Sequence, residues 1–178
     1  LDVVILASDA IAKLASSGHV VPASQVDLVH SGVAVAVRAG APVPDISSED
    51  AVRRAVLAAR SLSYSTGPSG VALAQLFERW GIAQEIAPRI VQAPPGVPVG
   101  TLVARGEVEL GFQQLSELLH VSGITLVGPL PPAIQTTTTF SGAIAANARQ
   151  PDAARALLAF MASPEAADAK RRQGMDPA

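Results

Sequence analysis

The sequence contains no cysteine and few aromatic residues, and both shortages limit the chemistry it can carry. Without cysteine the chain can form no disulfide, zinc-thiolate site or thiol nucleophile, and cysteine usage does not indicate a redox compartment. Aromatic residues make up 3% of the 178 residues, so alanine, valine and leucine must fill most of the interior. Such small aliphatic side chains suit helices that pack closely on a sheet.

Long apolar runs and basic stretches are also missing. No segment reaches the roughly 18 consecutive apolar residues of a membrane-spanning helix, so we expect no direct membrane insertion. The net charge is −2, and the one basic cluster, Lys170 to Arg172, suits the solvated end of a last helix. We therefore expect no nucleic-acid partner. Residues 1–6 have the pattern of a buried strand with no initiator Met or signal peptide before it, and we expect the natural protein to start earlier.

Strands and helices are predicted to alternate along the chain. Strands are expected at 1–6, 26–37, 62–64, 108–112, 124–127 and within the β-rich stretch 134–145. Helices are expected to begin near Ser8, at Ser47 or Ser48, after Gly67, after Pro98, at Pro151 and at Pro164. This order is typical of an α/β protein with a mostly parallel sheet covered on both faces.

Two loops before predicted helices are candidate binding sites. The segment 65–70 contains Thr66, Ser69 and Gly70 ahead of a helix whose first backbone N–H groups and positive dipole end favour an anion. The alternative is that Ser69 only caps its own helix. The segment 94–98, with Pro94, Pro95, Gly96 and Val97, also precedes a helix, and its alternative is an ordinary turn.

Two amides, Gln113 and Gln114, follow at the end of a predicted strand, where α/β folds place ligands. The alternative, two amides solvated in a loop, stays open. Four threonines at 136–139 suit a half-exposed strand, and we expect their hydroxyls to meet water.

Catalytic patterns are weak. The segment 67–71 lacks the closing glycine of a nucleophile elbow, and the segment 96–101 lacks the lysine of a phosphate-binding loop. Ser116 and His120 stand four residues apart, but no third residue that would orient them is identifiable. His19 and His30 are expected to be ordinary surface or loop residues. We accordingly predict no enzymatic activity, no cofactor and no metal site.

Several segments, in this order, resemble the type 2 periplasmic solute-binding proteins, in particular their molybdate-binding branch. Residues 149–167, with their Ser-Pro-Glu-Ala turn between two helices, resemble the closing pattern of that superfamily. Residues 1–8 resemble the strand that follows the family's second helix, and residues 67–70 resemble its Pro-x-Gly loop. Residues 104–112 resemble its Gly-Glu unit followed by a buried strand. The family's opening strand, first helix and second strand have no counterpart in this sequence.

The resemblance implies an α/β type 2 periplasmic-binding-protein fold with two three-layer α/β/α lobes, each with a mixed sheet. The first lobe, incomplete, would comprise 1–35 and 136–178, and the second 36–135. The implied contacts of the second lobe fall on Ser69, on Gly96 or Val97, and on Gln114, where molybdate binders typically offer a tyrosine hydroxyl. The full set of expected ligand-binding residues is Ser8, Thr66, Ser69, Gly70, Gly96, Val97, Gln113 and Gln114.

The implied function is that of a periplasmic or extracellular solute-binding protein of an ABC-type uptake system. It would hold a small oxyanion or small organic acid in the interlobe cleft and hand it to a membrane permease. The alternative is the effector-sensing domain of a transcriptional regulator, since such domains share the fold.

Overall fold

A computed structural model describes residues 1–94 and 96–178, so Pro95 of the predicted loop 94–98 lies outside the described residues. The chain forms two compact units. The first unit contains residues 1–31 and 138–178, and the second contains residues 32–137. Two long strands, β2 (Val26–Arg38) and β6 (Thr137–Ile144), continue from one unit into the other.

The first unit is built on a sheet in which β6 lies between β1 and β2. β1 pairs antiparallel with β6, and the short β7 pairs antiparallel with β2. Its other elements are β1 (Val3–Ala7), α1 (Ser8–Ser16), the 3-10 helices Pro22–Ser24 and Pro164–Ala166, α7 (Pro151–Ala162), α8 (Ala167–Arg172) and β7 (Asp176–Pro177).

Helices cover this sheet through two small apolar clusters. Ile11 of α1 packs with Val20 and Ala143, and Leu158 of α7 packs with Leu28 and Ile144. The buried Lys170 of α8 donates a hydrogen bond from Nζ to the Leu28 carbonyl oxygen at 2.7 Å, and burial lowers the pKa of this lysine. These contacts tie both terminal helices to β2.

The second unit has the strand order β3-β4-β2-β5. Val35 of β2 lies opposite Phe112 of β4 and Gly128 of β5, and both pairings are antiparallel. β3 and β4 are parallel. The elements of this unit are α2 (Glu49–Ala58), β3 (Leu62–Tyr64), α3 (Pro68–Arg79), α4 (Ala83–Ile86), the 3-10 helix Ala87–Arg89, α5 (Val99–Arg105), β4 (Leu110–Gln114), α6 (Leu115–Leu118) and β5 (Ile124–Pro129).

Phe77 of α3 lies at the centre of this unit's core. Its ring centroid is 5.7 Å from that of Tyr64, 5.9 Å from that of Trp80 and 6.3 Å from that of Phe112. Valines and leucines of β2, α2 and β3 complete the same cluster, among them Val33, Val35, Val52, Val56 and Leu62. Four of the six aromatic residues are therefore concentrated in this core.

The predicted elements are confirmed, including the short β3 and the helix that starts after Ser48. The Ser48 hydroxyl accepts a hydrogen bond from the Ala51 N–H at 3.2 Å, so Ser48 is the N-cap of α2. The predicted α/β class with mixed sheets is also confirmed. The expectation of a mostly parallel sheet is wrong: β3 and β4 are joined by helices and run parallel, whereas β2 enters the unit in the opposite direction.

We predict that Phe77→Ala lowers the free energy of unfolding by about 3–5 kcal/mol, because it removes a ring that is 1% exposed and leaves a cavity. The matched control is Phe160→Ala, whose ring is 59% exposed and whose loss should change the unfolding free energy by less than about 0.5 kcal/mol. Urea unfolding of the two variants checks this, and equal losses would contradict the proposed core.

Candidate functional site

Ser69 lies in a buried polar contact at the start of α3. It is 2% exposed, and its hydroxyl is 3.0 Å from that of Ser65. The N-cap of α3 is Gly67, and no side chain forms a capping hydrogen bond there. Ser69 therefore does not cap its own helix, which removes the structural alternative considered for it. The neighbouring Thr66 is exposed.

Gly70 allows the loop to contact the helix closely. A Cβ atom at this position would lie 1.5 Å from the Ser65 carbonyl oxygen and 3.3 Å from the ring of Tyr64. The Gly70 N–H donates to the Gly67 carbonyl oxygen at 3.0 Å. Gly70 thus fixes the path of the loop that holds Ser65 and Ser69.

We predict that Gly70→Ala destabilises the protein by about 3 kcal/mol, because the new methyl group collides with backbone rather than with a movable side chain. Gly67→Ala is the control: its Cβ would meet only the Ser65 hydroxyl at 3.8 Å, and the loss should be less than about 1 kcal/mol. Thermal unfolding measures both, and a well-tolerated Gly70→Ala would refute the close approach.

The two glutamines lie within β4 and are buried, Gln113 being 6% and Gln114 4% exposed. The Gln113 side-chain oxygen Oε1 accepts a hydrogen bond from the Gly100 N–H at 3.4 Å, and the side-chain amide nitrogen donates to the Glu117 carboxylate. Burial raises the pKa of Glu117, and the hydrogen bond from Gln113 opposes that rise. The alternative of two amides solvated in a loop is therefore excluded.

The segment before α5 forms a turn. The Val97 N–H donates to the Pro94 carbonyl oxygen at 3.0 Å, and Gly96 has a positive φ of 78° and is exposed. The Val97 side chain is half-buried against the apolar side chains of α5, such as Val99 and Val103. Their role in ligand binding stays a prediction.

A second polar cluster lies in the first unit, at the end of β1. The Ser141 hydroxyl, 0% exposed, donates to Asp27 Oδ1 at 2.5 Å, and Ser8 Oγ lies 2.5 Å from Ser141 Oγ. Because the single Ser141 proton points to Asp27, Ser8 is the donor in the contact between the two serines. The Ser8 hydroxyl also lies 3.2 Å from the Thr139 carbonyl oxygen.

His30 extends this cluster. Its Nδ1 lies 3.0 Å from the Thr139 hydroxyl oxygen, and the histidine is half-buried on β2. The expectation that His30 is an ordinary surface or loop residue is wrong, because it lies in a strand and bonds to a residue 109 positions away. The expectation that Thr139 meets only water is wrong for the same reason.

Asp27 and Ser141 were not among the predicted site residues, Ser65 entered only as part of the loop 65–70, and Thr139 and His30 were expected to meet water or to be ordinary surface or loop residues. One signal was available: Thr139 and Ser141 are two residues apart on a strand and so share one face. The partners across the cluster come from segments more than 100 residues apart, and no spacing motif marks such a pair.

A cavity of about 500 Å³ in the second unit does not coincide with these residues. It lies between the end of α2 and the start of β4, with walls that include Val37, Pro42, Ala59 and Leu110. Arg60 and Glu109 on its wall form an ion pair, and hydrogen bonds from Arg60 lower the pKa of Glu109. Arg38 also lines the cavity, whereas none of the residues predicted to bind a ligand does.

Two searches of the described residues were negative. Within 1–94 and 96–178, no three histidine, aspartate or glutamate side chains are grouped so that they could hold a metal ion. Over the same residues, no helix combines the length and the apolar character needed to cross a bilayer.

Comparison with known proteins identifies a family that agrees with the observed fold and a relative that is named as an enzyme. The model of the family described as bacterial extracellular solute-binding protein matches residues 1–176. The sequence is 46% identical over 177 residues to a protein from a Pseudomonas species named aconitate isomerase, covering 99% of this chain and 67% of that protein.

Two solved structures show the fold. The periplasmic molybdate-binding protein of Azotobacter vinelandii gives a TM-score of 0.76 at 22% identity, covering 98% of this chain and 77% of that one. A tungstate-binding protein of Desulfovibrio alaskensis gives 0.64 at 13% identity, covering 95% and 73%. The predicted resemblance to the type 2 periplasmic binding proteins is confirmed.

The prediction that the chain performs no chemistry is wrong. A relative with 46% identity across 99% of this chain carries the name of an enzyme, which points to enzymatic function. The prediction rested on the lack of an acid-base motif along the sequence, and such a lack does not exclude catalysis by residues that meet only in the folded chain.

Proposed function

Because the chain belongs to the family of bacterial extracellular solute-binding proteins, we propose that it binds an unsaturated tricarboxylate of the aconitate type and isomerises it. The observation that carries this proposal is the 46% identity with aconitate isomerase over 177 residues. Of the two ligand classes predicted, an organic acid is thereby favoured over an oxyanion. The molybdate- and tungstate-binding neighbours are less than 25% identical and support the fold alone.

The chemistry of aconitate defines what such a protein must supply. The molecule has a methylene carbon next to a carbon-carbon double bond, and its carboxylates make the methylene protons acidic. Moving one proton from the methylene carbon to the far carbon of the double bond interconverts the geometric isomers without oxidation or hydrolysis. The protein must therefore offer hydrogen-bond donors for carboxylates and one group that accepts and returns a proton.

Donors suited to carboxylates are present in both units. Ser65 and Ser69 place two hydroxyls before α3, and Gln113 and Gln114 bring two amides to the end of β4. In the first unit, Ser8 stands in the cluster with Ser141 and Asp27. We propose that Ser69 and Gln114 of the second unit donate to substrate carboxylates, and that Ser8 of the first unit is a ligand-binding residue, as was predicted. Neutral donors held in place stabilise the charge that spreads over the carboxylates during proton transfer.

The family membership supports a second role, delivery of the same acid to a membrane permease of an ABC-type system in the periplasm or outside the cell. Neither role excludes the other, because both begin with binding of a carboxylate. The predicted lobes, 1–35 with 136–178 and 36–135, stay a proposal for the full-length protein.

The test is turnover by the full-length protein. We expect cis-aconitate to be converted to the trans isomer, followed by proton nuclear magnetic resonance. Ser69→Ala should lower kcat/KM about 10- to 100-fold, because one hydrogen bond to a charged group is lost. Ser16→Ala is the control: its exposed hydroxyl bonds only within α1, to the Ala12 carbonyl oxygen, and its kcat/KM should match the unsubstituted protein.

Two other outcomes would contradict the proposal in different ways. Binding of aconitate by calorimetry without turnover would refute the isomerase and favour delivery to a permease. Neither binding nor turnover would refute the substrate class.

A further inference from the structure

We propose that His30 is the group that accepts and returns the proton, and that Thr139 positions its imidazole; this inference rests on the proposed isomerase function. Histidine is the side chain most often used for proton transfer in enzymes, because both its protonation states are accessible near neutral pH. His30 stands within the cluster that contains Ser8, a predicted ligand-binding residue.

The hydrogen bond to Thr139 determines which ring nitrogen of His30 can accept the substrate proton. His30 Nδ1 and Thr139 Oγ1 are 3.0 Å apart, and we assign Nδ1–H as the donor. This tautomer leaves a lone pair on Nε2, which has no hydrogen-bond partner among the residues that the structure describes. A nucleophile or base whose other nitrogen is held by a fixed partner has the arrangement common to catalytic histidines.

Charged residues stand on three elements around His30. Asp176 of β7 is the register partner of His30 on β2. Residues directly opposite in an antiparallel pair project from the same face with Cβ atoms about 5 Å apart. Asp27, three residues before His30, accepts a hydrogen bond from the Ser141 hydroxyl. Lys170 donates a hydrogen bond to the Leu28 carbonyl oxygen.

The other candidates in the chain are less suited. Asp27 already accepts a hydrogen bond from the Ser141 hydroxyl at 2.5 Å. His19 is exposed and bonds to Ser17, two residues away, in a local turn. His120 follows α6 in the second unit and is exposed. Of the three histidines, His30 is therefore the one held in a strand by a hydroxyl that is distant in sequence.

The proton transfer balances without a further reactant. Nε2 of His30 removes a proton from the methylene carbon, and the electron pair of that C–H bond forms the new double bond. The electrons of the old double bond pass onto the adjacent carboxylate-bearing carbon. The imidazolium then returns the proton to that carbon, which becomes the new methylene group, and neutral His30 is regenerated.

The experiment compares four variants of the full-length protein with cis-aconitate as the substrate. His30→Gln should lower kcat about 100- to 10,000-fold with KM nearly unchanged, because a general base is lost while the binding groups remain. His19→Gln, the matched control, should retain kcat within about twofold. Thr139→Val should lower kcat about tenfold through loss of one hydrogen bond, and Thr139→Ser should restore it.

Chemical rescue separates a catalytic from a structural role. Added imidazole should restore turnover to His30→Ala, whereas it should leave Ser69→Ala unchanged. Turnover by His30→Gln equal to that by His19→Gln would overturn the assignment of His30 while leaving the isomerase intact. Absence of turnover in the unsubstituted protein would overturn the proposed function, and the role of His30 with it.

Discussion

The fold depends on strand β2, a single extended segment of 13 residues that serves both units. Residues 33–37 of this strand are all buried, so each backbone N–H and carbonyl group there needs a partner. β4 and β5 pair with this part of the strand in the second unit, and β7 pairs with Val29 and His30 in the first. Asp27 and His30 of the first unit's polar cluster also lie on this strand.

The point where β2 passes between the units shows how strict this constraint is. The Val33 N–H donates to the side-chain oxygen of Gln135 at 2.9 Å, and the Gln135 amide donates back to the Val33 carbonyl oxygen at 3.1 Å. One glutamine side chain thus satisfies both backbone groups, as a paired strand would. Gly32 beside it has no side chain, and a Cβ there would lie 3.1 Å from the Gln135 amide. Gly32 thus leaves room for the Gln135 side chain, and the Gln135 amide forms both hydrogen bonds to the Val33 backbone.

Local elements were predictable because local patterns determine them. β2 follows from its valine-rich run, and α2 from the serine at its N-cap and its apolar face. The buried state of Ser69 and Gln114 could not be derived, because burial depends on what packs above a strand end. The cluster of Ser8, Asp27, His30 and Thr139 was invisible, since its hydrogen bonds join positions separated by 19 to 131 residues.

The directions of the paired strands also could not be predicted from local sequence patterns. Alternation of helices and strands predicts parallel pairing only when successive strands return to the same sheet in the same sense. β3 and β4 meet that condition, and they are parallel. β2 does not, because it arrives from the other unit, and its antiparallel pairing with β4 and β5 follows. Whether one strand continues from one unit into the other depends on long-range contacts. Hydrophobic periodicity along the sequence contains no information about such contacts.

A binding protein needs little change to become an isomerase of its own ligand. Donors that hold carboxylates in the bound acid also stabilise the carbanion-like state formed when a neighbouring proton leaves, because the new charge spreads onto the same carboxylates. Such donors therefore already lower the free-energy barrier to proton transfer. The remaining requirement is one base at the correct distance from the bound acid. On the proposed mechanism, a histidine on a strand that is already fixed by both units requires only a hydroxyl on the adjacent strand to set its tautomer. Such a group would leave the fold and its sequence signature unchanged, so family resemblance alone does not distinguish a binding protein from an isomerase on the same scaffold.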